Sequence, residues 1–471
     1  MTKIKFGTDG WRAIIAKEYT VDNVCRVTIA VSQWLKSNFD KPSVVVGHDC
    51  RFGGPMFVDA VCKVLTANGI KVITTDKGFV STPMISYATR EFKASLGVVI
   101  TASHNPPTYN GYKLKGDFGG PLLPDQVDEI EQLIPDTNSY DVDSISLSEA
   151  KANKLYEIVD LEQMYIDKVK STFDLDLIAN ADFGWAYDAM YGAGQNVMKR
   201  LLPDIAFLHC EHNPGFMGQA PEPIDKNLQE FSMLMKQNHG LSCGLATDGD
   251  ADRIGLYNSR GEFVDSHHII LLTIHYLVKY KGLSGKVVTG FSSTPRIKQM
   301  CEHYGLEHEE VKIGFKYIAG FMADPSEDVL LGGEESGGIA LKTFIPERDG
   351  IWMGLTIWEF MAKTGKSLDE LIQEVYEIVG PFAFERNDLH INESLKVSII
   401  EKCKSDTFHM FGKYKVKSVD DLDGFKYHFD ENRWLMIRPS GTEPVLRTYA
   451  EAPTLEEVRV ILEACKLTIG A

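Results

Sequence analysis

The sequence predicts an α/β protein built from several layered domains, and three observations carry that prediction. The chain has 471 residues, about three times the ~150 typical of one domain. Short β-branched runs closed by glycine alternate with amphipathic helical segments, the pattern of α/β layers. Four Gly- or Asp-rich loops each follow an apolar run, where open α/β sheets collect their ligands.

Taken in order, Val24, Val27, Val31, Trp34 and Leu35 fall at helical spacing,. Val44-Val45-Val46-Gly47 reads as a strand, Phe57, Val61, Val64 and Leu65 as the inner face of a helix, and Leu96-Gly97-Val98-Val99-Ile100 as a second strand. Polar, acidic and Ser-rich residues at 135–148 interrupt the pattern, so a linker is expected at about 140–155. A helix then starts near Asp160, with Gln163 as its capping partner,. Gly244-Leu245-Ala246-Thr247 is strand-like and runs into an acidic loop, then Ile254-Gly255-Leu256-Tyr257 and a turn. The apolar run 269–278 contains Thr273 and His275 and is half a bilayer span, so it reads as a buried helix,. The helix at 367–379 opens on a capping box, Ser367 with Glu370, and Gly380-Pro381 ends it,. The final ninety or so residues mix strands with a helix capped by Thr454 and Glu457, with Val458, Ile461, Leu462 and Cys465 on one face.

Charge narrows the partners. Forty-nine basic against 66 acidic residues leave a formal charge of −17. Such a surface repels nucleic acid and anionic membranes. Neither is expected as a partner, and an anionic small ligand needs a local cluster of Arg and Lys. Eight cysteines without a close pair offer neither a redox nor a zinc motif,. They read as buried thiols in a reducing compartment. The N-terminus lacks an apolar signal core, and a cytoplasmic location is expected.

The loops carry the chemistry. Asp248-Gly249-Asp250-Ala251-Asp252-Arg253 can aim three carboxylates at one point, an oxygen-only set suited to Mg²⁺ or Ca²⁺,. It is not an EF-hand loop, because Arg253 and Ser259 stand where that loop needs Gly and Glu. Thr101-Ala102-Ser103-His104-Asn105-Pro106 exposes a serine just past a strand, a poor nucleophile until a metal or base activates it,. Arg438-Pro439-Ser440-Gly441-Thr442 offers a guanidinium, two hydroxyls and turn N–H groups to a phosphate,. Arg447 is a second cation nearby, with Glu443 or Glu451 as its ordinary partner. Gly333-Glu334-Glu335-Ser336-Gly337 sets carboxylates and a hydroxyl where sugar hydroxyls can be read. Each loop alone has an ordinary reading as a solvated turn. The hydrolase elbow and the Walker A loop both fail, at Glu334 and Phe360,.

Together with Phe6-Gly7-Thr8-Asp9-Gly10-Trp11-Arg12, these loops, in this order along the whole chain, resemble the α-D-phosphohexomutase family of phosphoglucomutases and phosphomannomutases. The resemblance implies four domains around a central cleft, one more than length suggests. Three are related α/β domains, at 1–150, 151–257 and 258–378. The fourth, at 379–471, is a smaller C-terminal α+β domain of the TATA-box-binding-protein-like fold. The implied reaction moves a phosphoryl group between O1 and O6 of a hexose, most readily glucose and also mannose, with phosphoglucosamine as the alternative substrate. Ser103 would be the phosphoserine, and Asp248, Asp250 and Asp252 would hold Mg²⁺ with its phosphate. His104 and Arg12 would line the reacting end, and Arg253 would support the transferring group. Lys113 matches the family's general acid/base. A lysine base needs a lowered pKa, which neighbouring cations favour. Glu334 and Ser336 would contact sugar hydroxyls. Arg438, Ser440, Gly441 and Thr442 would bind the non-reacting phosphate. Lys312-Ile313-Gly314-Phe315-Lys316 replaces a Gly-His-Ser segment of some members, which assigns a substrate contact to Lys316. A sugar 1,6-bisphosphate is the implied activator, a small phosphosugar the partner, and a monomer or homodimer the state. A phosphatase on the same serine and a non-catalytic sugar-phosphate sensor are the competing readings. The distal Arg438 anchor argues against the first, and the intact Ser103, Lys113 and Asp triplet against the second.

Overall fold

The structure, a computed structural model, describes residues 3–7, 9–439 and 445–471. It divides into two compact units, 1–288 with 314–372, and 289–313 with 373–471.

The first unit opens with strand β1 (Trp11–Ile14), helix α1 (Val21–Asn38), β2 (Ser43–His48), α2 (Gly54–Ala67), β3 (Lys71–Thr74), α3 (Thr82–Glu91), β4 (Leu96–Ile100), β5 (Tyr109–Gly116) and β6 (Tyr156–Ile158). The strands form one sheet in the order β1-β5-β4-β2-β3-β6. β2 runs parallel to both β3 and β4, while β5 is antiparallel to β4 and β1. Val44, Val46, Val98 and Ile100 pack against Val24, Val27, Val31, Trp34 and Leu35 of α1 and Phe57, Val61 and Leu65 of α2. Thr20 caps α1 through the Asn23 N–H, and Ser81 caps α3 through Met84 N–H,. The chain leaves β2 toward β3 on one side and β4 lies on the other. The carboxyl ends of β2 and β4 therefore flank a topological switch point, the position where open α/β sheets bind ligands.

The expected linker at 140–155 is instead structured. It holds a 3₁₀ turn (Val142–Ser144) and a helix (Leu147–Ala152), and β6 beyond it completes the first sheet against β3. The Ser- and Asp-rich composition that suggested a linker is cap chemistry: Asp141 accepts from Asp143 N–H and Ser146 from Glu149 N–H,.

The second sheet holds β7 (Trp185–Asp188), β8 (Ala206–Leu208), β9 (Cys243–Thr247), β10 (Ile254–Asn258) and β11 (Phe263–Val264), in the order β11-β10-β9-β7-β8. β7 is parallel to β8 on one side and to β9 on the other, so a second switch point lies at the ends of β7 and β9,. The run read as a buried helix is Ser266–His275 continuing into a π-helical turn, Tyr276–Tyr280. Further along, Val329–Gly333 pairs antiparallel with Ile339–Leu341, and the helix Gly350–Thr364 follows. Ser367 and Glu370 form the full capping box, each receiving the other's N–H.

The second unit carries a five-stranded antiparallel sheet, in the order Ala383–His390, Val445–Ala452, Arg433–Pro439, Phe425–Asp430, Ser418–Asp420. Helices Glu393–Lys404 and Leu455–Ile469 supply Ile399, Val458, Ile461, Leu462 and Cys465 to its core. Residues 289–313 fall in the same compact unit as this sheet, and buried cations link the two. Lys426 Nζ donates to the carbonyls of Phe291 (3.1 Å) and Ser293 (3.0 Å). Arg296 donates to Val379 O and Asn432 Oδ1, both at 2.7 Å. All eight cysteines are buried thiols. Among the described residues no helix is long and apolar enough to cross a membrane.

Candidate active site

The serine loop leaves the end of β4 beside the end of β2. Asp49, just past β2, accepts Thr101 Oγ1 at 2.5 Å, and Thr101 Oγ1 accepts the Ser103 N–H at 2.9 Å. Ser103 sits at φ 51°, the left-handed region that a serine rarely occupies,. This conformation turns Oγ toward the loop after β9, where it donates to Asp248 Oδ2 at 2.7 Å. The two loops touch so closely that a Cβ on Gly249 would lie 2.5 Å from Ser103 O. His104 Nδ1 stands 3.3 Å from the same hydroxyl, and Arg12 Nη1 donates to Asn105 Oδ1 at 2.6 Å.

Asp248, Asp250 and Asp252 are fully buried, with ligand atoms within 4.8 Å of one another. Asp248 Oδ1 takes the N–H groups of Asp252 and Arg253, which closes the turn. Asp250 lies at the start of α3, its carbonyl accepting Thr82 N–H and its Oδ2 accepting Thr82 Oγ1. Lys113 Nζ, buried on β5, contacts Asp250 Oδ2 (2.8 Å), Asp252 Oδ2 (2.9 Å) and Asp9 Oδ2 (2.9 Å). Arg348 reaches Asp252 Oδ2 at 2.8 Å and also pairs with Asp9. Oδ1 of Asp250 and of Asp252 make no hydrogen bond among the described residues. Two orphaned carboxylate oxygens, buried beside Asp248 and a serine hydroxyl, are a donor set for a hard cation.

The electrostatics follow from these contacts. Burial, with the charges of Asp250 and Asp252, pushes the Asp248 carboxyl well above its usual range,. Burial would raise Asp250 too, but Lys113 and Thr82 outweigh it and hold it low. Lys113 is raised, because Asp250, Asp252 and Asp9 together overcome its burial. His104 is lowered by burial and by Arg253, Arg12 and Lys113, which favours its neutral imidazole form. Burial lifts Glu334 to about 7 against the pull of Arg348.

The Glu334 turn follows Val329–Gly333 and is stapled to β10. Ile254 N–H donates to Gly337 O, and Gly337, at φ 89°, leaves no room for a Cβ beside Ile254 O. Glu334 Oε1 accepts Gly314 N–H at 3.0 Å, and Ser336 Oγ is buried without a hydrogen-bond partner among the described residues. In the C-terminal unit the Arg438 guanidinium is forked onto Asp423, at 3.3 Å and 3.2 Å.

Family models cover most of the chain. Those of the phosphoglucomutase/phosphomannomutase α/β/α domains I, II and III match residues 3–141, 163–261 and 265–379, and the C-terminal domain matches 396–466. A Thermococcus kodakarensis phosphoglucomutase/phosphomannomutase is 31% identical, over 97% of this chain and 96% of that one. The chain belongs to the phosphoglucomutase/phosphomannomutase family. A Bacillus cereus phosphoglucosamine mutase is 29% identical, over 99% of both chains. A crystal structure from Thermus thermophilus superposes with TM-score 0.86 at 33% identity over the full length of both chains. A Burkholderia thailandensis protein of this family shares the fold, with TM-score 0.77 at 20% identity over 98% of each chain.

Within this family frame, Ser103, His104, Asp248, Asp250, Asp252 and Lys113 converge, with Arg12 tied to the serine loop and Arg253 on the Asp loop. Lys316 lies with its ammonium against the neighbouring Tyr317 ring, 5.4 Å from its centroid. Ser440, Gly441 and Thr442 lie outside the described residues. Two expectations change. The sequence reading sets Lys113 among cations that lower its pKa, but its neighbours are three carboxylates that raise it. The same reading pairs Arg447 with Glu443, which lies outside the described residues, or with Glu451; Glu451 instead pairs with Arg296, and Arg447 faces Asp388 at 3.8 Å, its cross-strand partner in the sheet register. Sequence reasoning also passes over Asp9, Arg51, Thr82 and Arg348, all buried or half-buried around the site. Asp9 stands inside a quoted motif; the other three carry no local signal, because their partners lie far away in sequence.

Proposed function

We propose that the chain is a phosphohexomutase that moves a phosphoryl group between O1 and O6 of a hexose, glucose foremost and mannose also. The reaction runs through phosphorylated Ser103 and a sugar 1,6-bisphosphate, which is also the activator. The 2.7 Å contact from Ser103 Oγ to Asp248, inside a buried carboxylate triplet, supports this reading most strongly.

A sugar hydroxyl attacks the phosphorus of phospho-Ser103. The new P–O bond forms as the bond to Oγ breaks, and the hydroxyl proton leaves. The bisphosphate turns end for end, and Ser103 Oγ then takes the other phosphoryl group. Asp248, Asp250 and Asp252 would hold Mg²⁺ with the serine oxygen, and its charge would neutralise phosphoryl oxygens during transfer. His104, held neutral beside Oγ, is placed to exchange the proton,. Lys113, held as an ammonium by three carboxylates, supplies fixed positive charge rather than a proton, and Arg12 and Arg253 face the developing charge. Glu334 and Ser336 read sugar hydroxyls, with Lys316 as a further contact. Arg438 with Ser440, Gly441 and Thr442 grips the non-reacting phosphate, which a mutase needs and a phosphatase does not.

Initial rates on glucose, mannose and glucosamine 1-phosphates, with free phosphate followed in parallel, test the reading. Isomerisation fastest on glucose and no stoichiometric phosphate release is the expected result. The fastest rate on glucosamine 1-phosphate would reassign the sugar. Phosphate released in proportion to sugar consumed would make the protein a phosphatase.

A further inference from the structure

Beneath the serine loop lies Arg51, just past β2 and only 2% exposed. Its guanidinium gathers four carbonyls from one seven-residue stretch. Nη2 donates to Ser103 O (2.5 Å) and Asn105 O (2.7 Å), and Nη1 to Pro106 O and Tyr109 O (both 3.0 Å). Nε lies 3.4 Å from Asp49 Oδ2, the carboxylate that also receives Thr101 Oγ1. The back of the guanidinium stacks 5.1 Å from the ring of Phe216, a buried residue of the second domain.

We propose that Arg51, oriented by Asp49, is the positioning residue for the phosphorylatable serine. The inference rests on the mutase reading above. Four carbonyl dipoles aimed at one point repel one another unless a cation sits between them. A planar fork with two nitrogens, each giving two bonds, meets that need, and a lysine ammonium does not. With the carbonyls of Ser103, Asn105, Pro106 and Tyr109 turned inward, the loop presents Ser103 Oγ to Asp248 and Asn105 Oδ1 to Arg12. The left-handed conformation of Ser103 is unfavourable for a serine, and this ring of bonds over-determines it,. Arg51 does not touch the reacting atoms. It acts through the backbone, keeping Oγ in one place while a phosphoryl group arrives and departs.

The test uses the full chain with Arg51→Lys and Asp49→Asn, and Ser103→Ala as control. Turnover is measured with sugar phosphate, and single-turnover phosphorylation by glucose 1,6-bisphosphate is followed by intact mass. Arg51→Lys is expected to lower kcat on the order of 10²-fold, the effect of misplacing a reacting group by about 1 Å, with KM little changed. Its phosphorylation should slow in parallel yet still reach one phosphoryl group per chain. A merely structural role would instead lower that end point and leave the rate alone. If Arg51→Lys does not fold, Asp49→Asn decides, with the same kcat loss expected. Wild-type kcat, or a reduced end point at an unchanged rate, would overturn the inference. Undiminished turnover in Ser103→Ala would overturn the mutase mechanism itself. A silent Ser103→Ala beside a fully active Arg51→Lys would overturn only the role of Arg51.

Discussion

Gly249→Ala should separate the two loops on which the chemistry depends. The new Cβ would stand 2.5 Å from Ser103 O, with Pro221 Cγ at 3.0 Å limiting retreat. Ordinary contact begins near 3.4 Å, so the loops must part by about 0.9 Å, an overpacking strain of about 1–3 kcal/mol. Added to the 2.7 Å bond between Ser103 Oγ and Asp248 Oδ2, that displacement leaves a gap near the limit of a hydrogen bond, about 3.6 Å. Because reacting groups displaced by about 1 Å lose on the order of 10²-fold in rate, kcat should fall by that factor. Steady-state kinetics and urea unfolding measure both quantities. The control is Gly320→Ala, inside the helix Phe315–Ala323, where the nearest atom to the new Cβ is 4.0 Å away. It should stabilise the protein by about 0.4–1 kcal/mol. A Gly249→Ala protein with wild-type kcat would refute the close apposition of serine and carboxylates.

Three further outcomes are expected. Chelation should abolish turnover, and Asp252→Asn should weaken Mn²⁺ binding by on the order of 10-fold or more in isothermal titration; unchanged affinity would move the metal elsewhere. Asp349 caps the helix Gly350–Thr364 and accepts Tyr165 Oη at 2.7 Å, yet burial lifts its carboxyl to about 7 from 3.8. Its folded-state pKa is raised, so the stability held by the proton is complete below about pH 4 and is lost as pH rises through 7. Asp349→Asn should therefore flatten that fall and be more stable than wild type above pH 7, by up to about 4 kcal/mol; parallel stability–pH curves would contradict this. Arg438→Ala should lower kcat/KM for sugar phosphates by about two to three kcal/mol, roughly 10²-fold; an unchanged kcat/KM would remove the distal anchor.

Much of this is legible in sequence because the signals are local. Strand β4 and its serine loop, the Asp turn after β9, and the caps at Asp160, Ser367 and Thr454 each announce themselves within a few residues. What stays hidden depends on distant partners. Lys113 can be matched to a role, but its charge environment is set by Asp9, Asp250 and Asp252, up to 139 residues away. Arg51 follows an ordinary strand and acquires its meaning only when the next parallel strand delivers the loop after β4 beside it. Lys426 and Arg296 likewise find their partners, Phe291 and Ser293 for one and Asn432 for the other, more than 130 residues away.

The most direct measurement is to trace the phosphoryl group itself. Labelled glucose 1,6-bisphosphate mixed with the protein and magnesium should label a single proteolytic peptide, with the label on Ser103, and unlabelled glucose 1-phosphate should discharge it at the turnover rate. Sustained isomerisation with that peptide unlabelled would contradict the account.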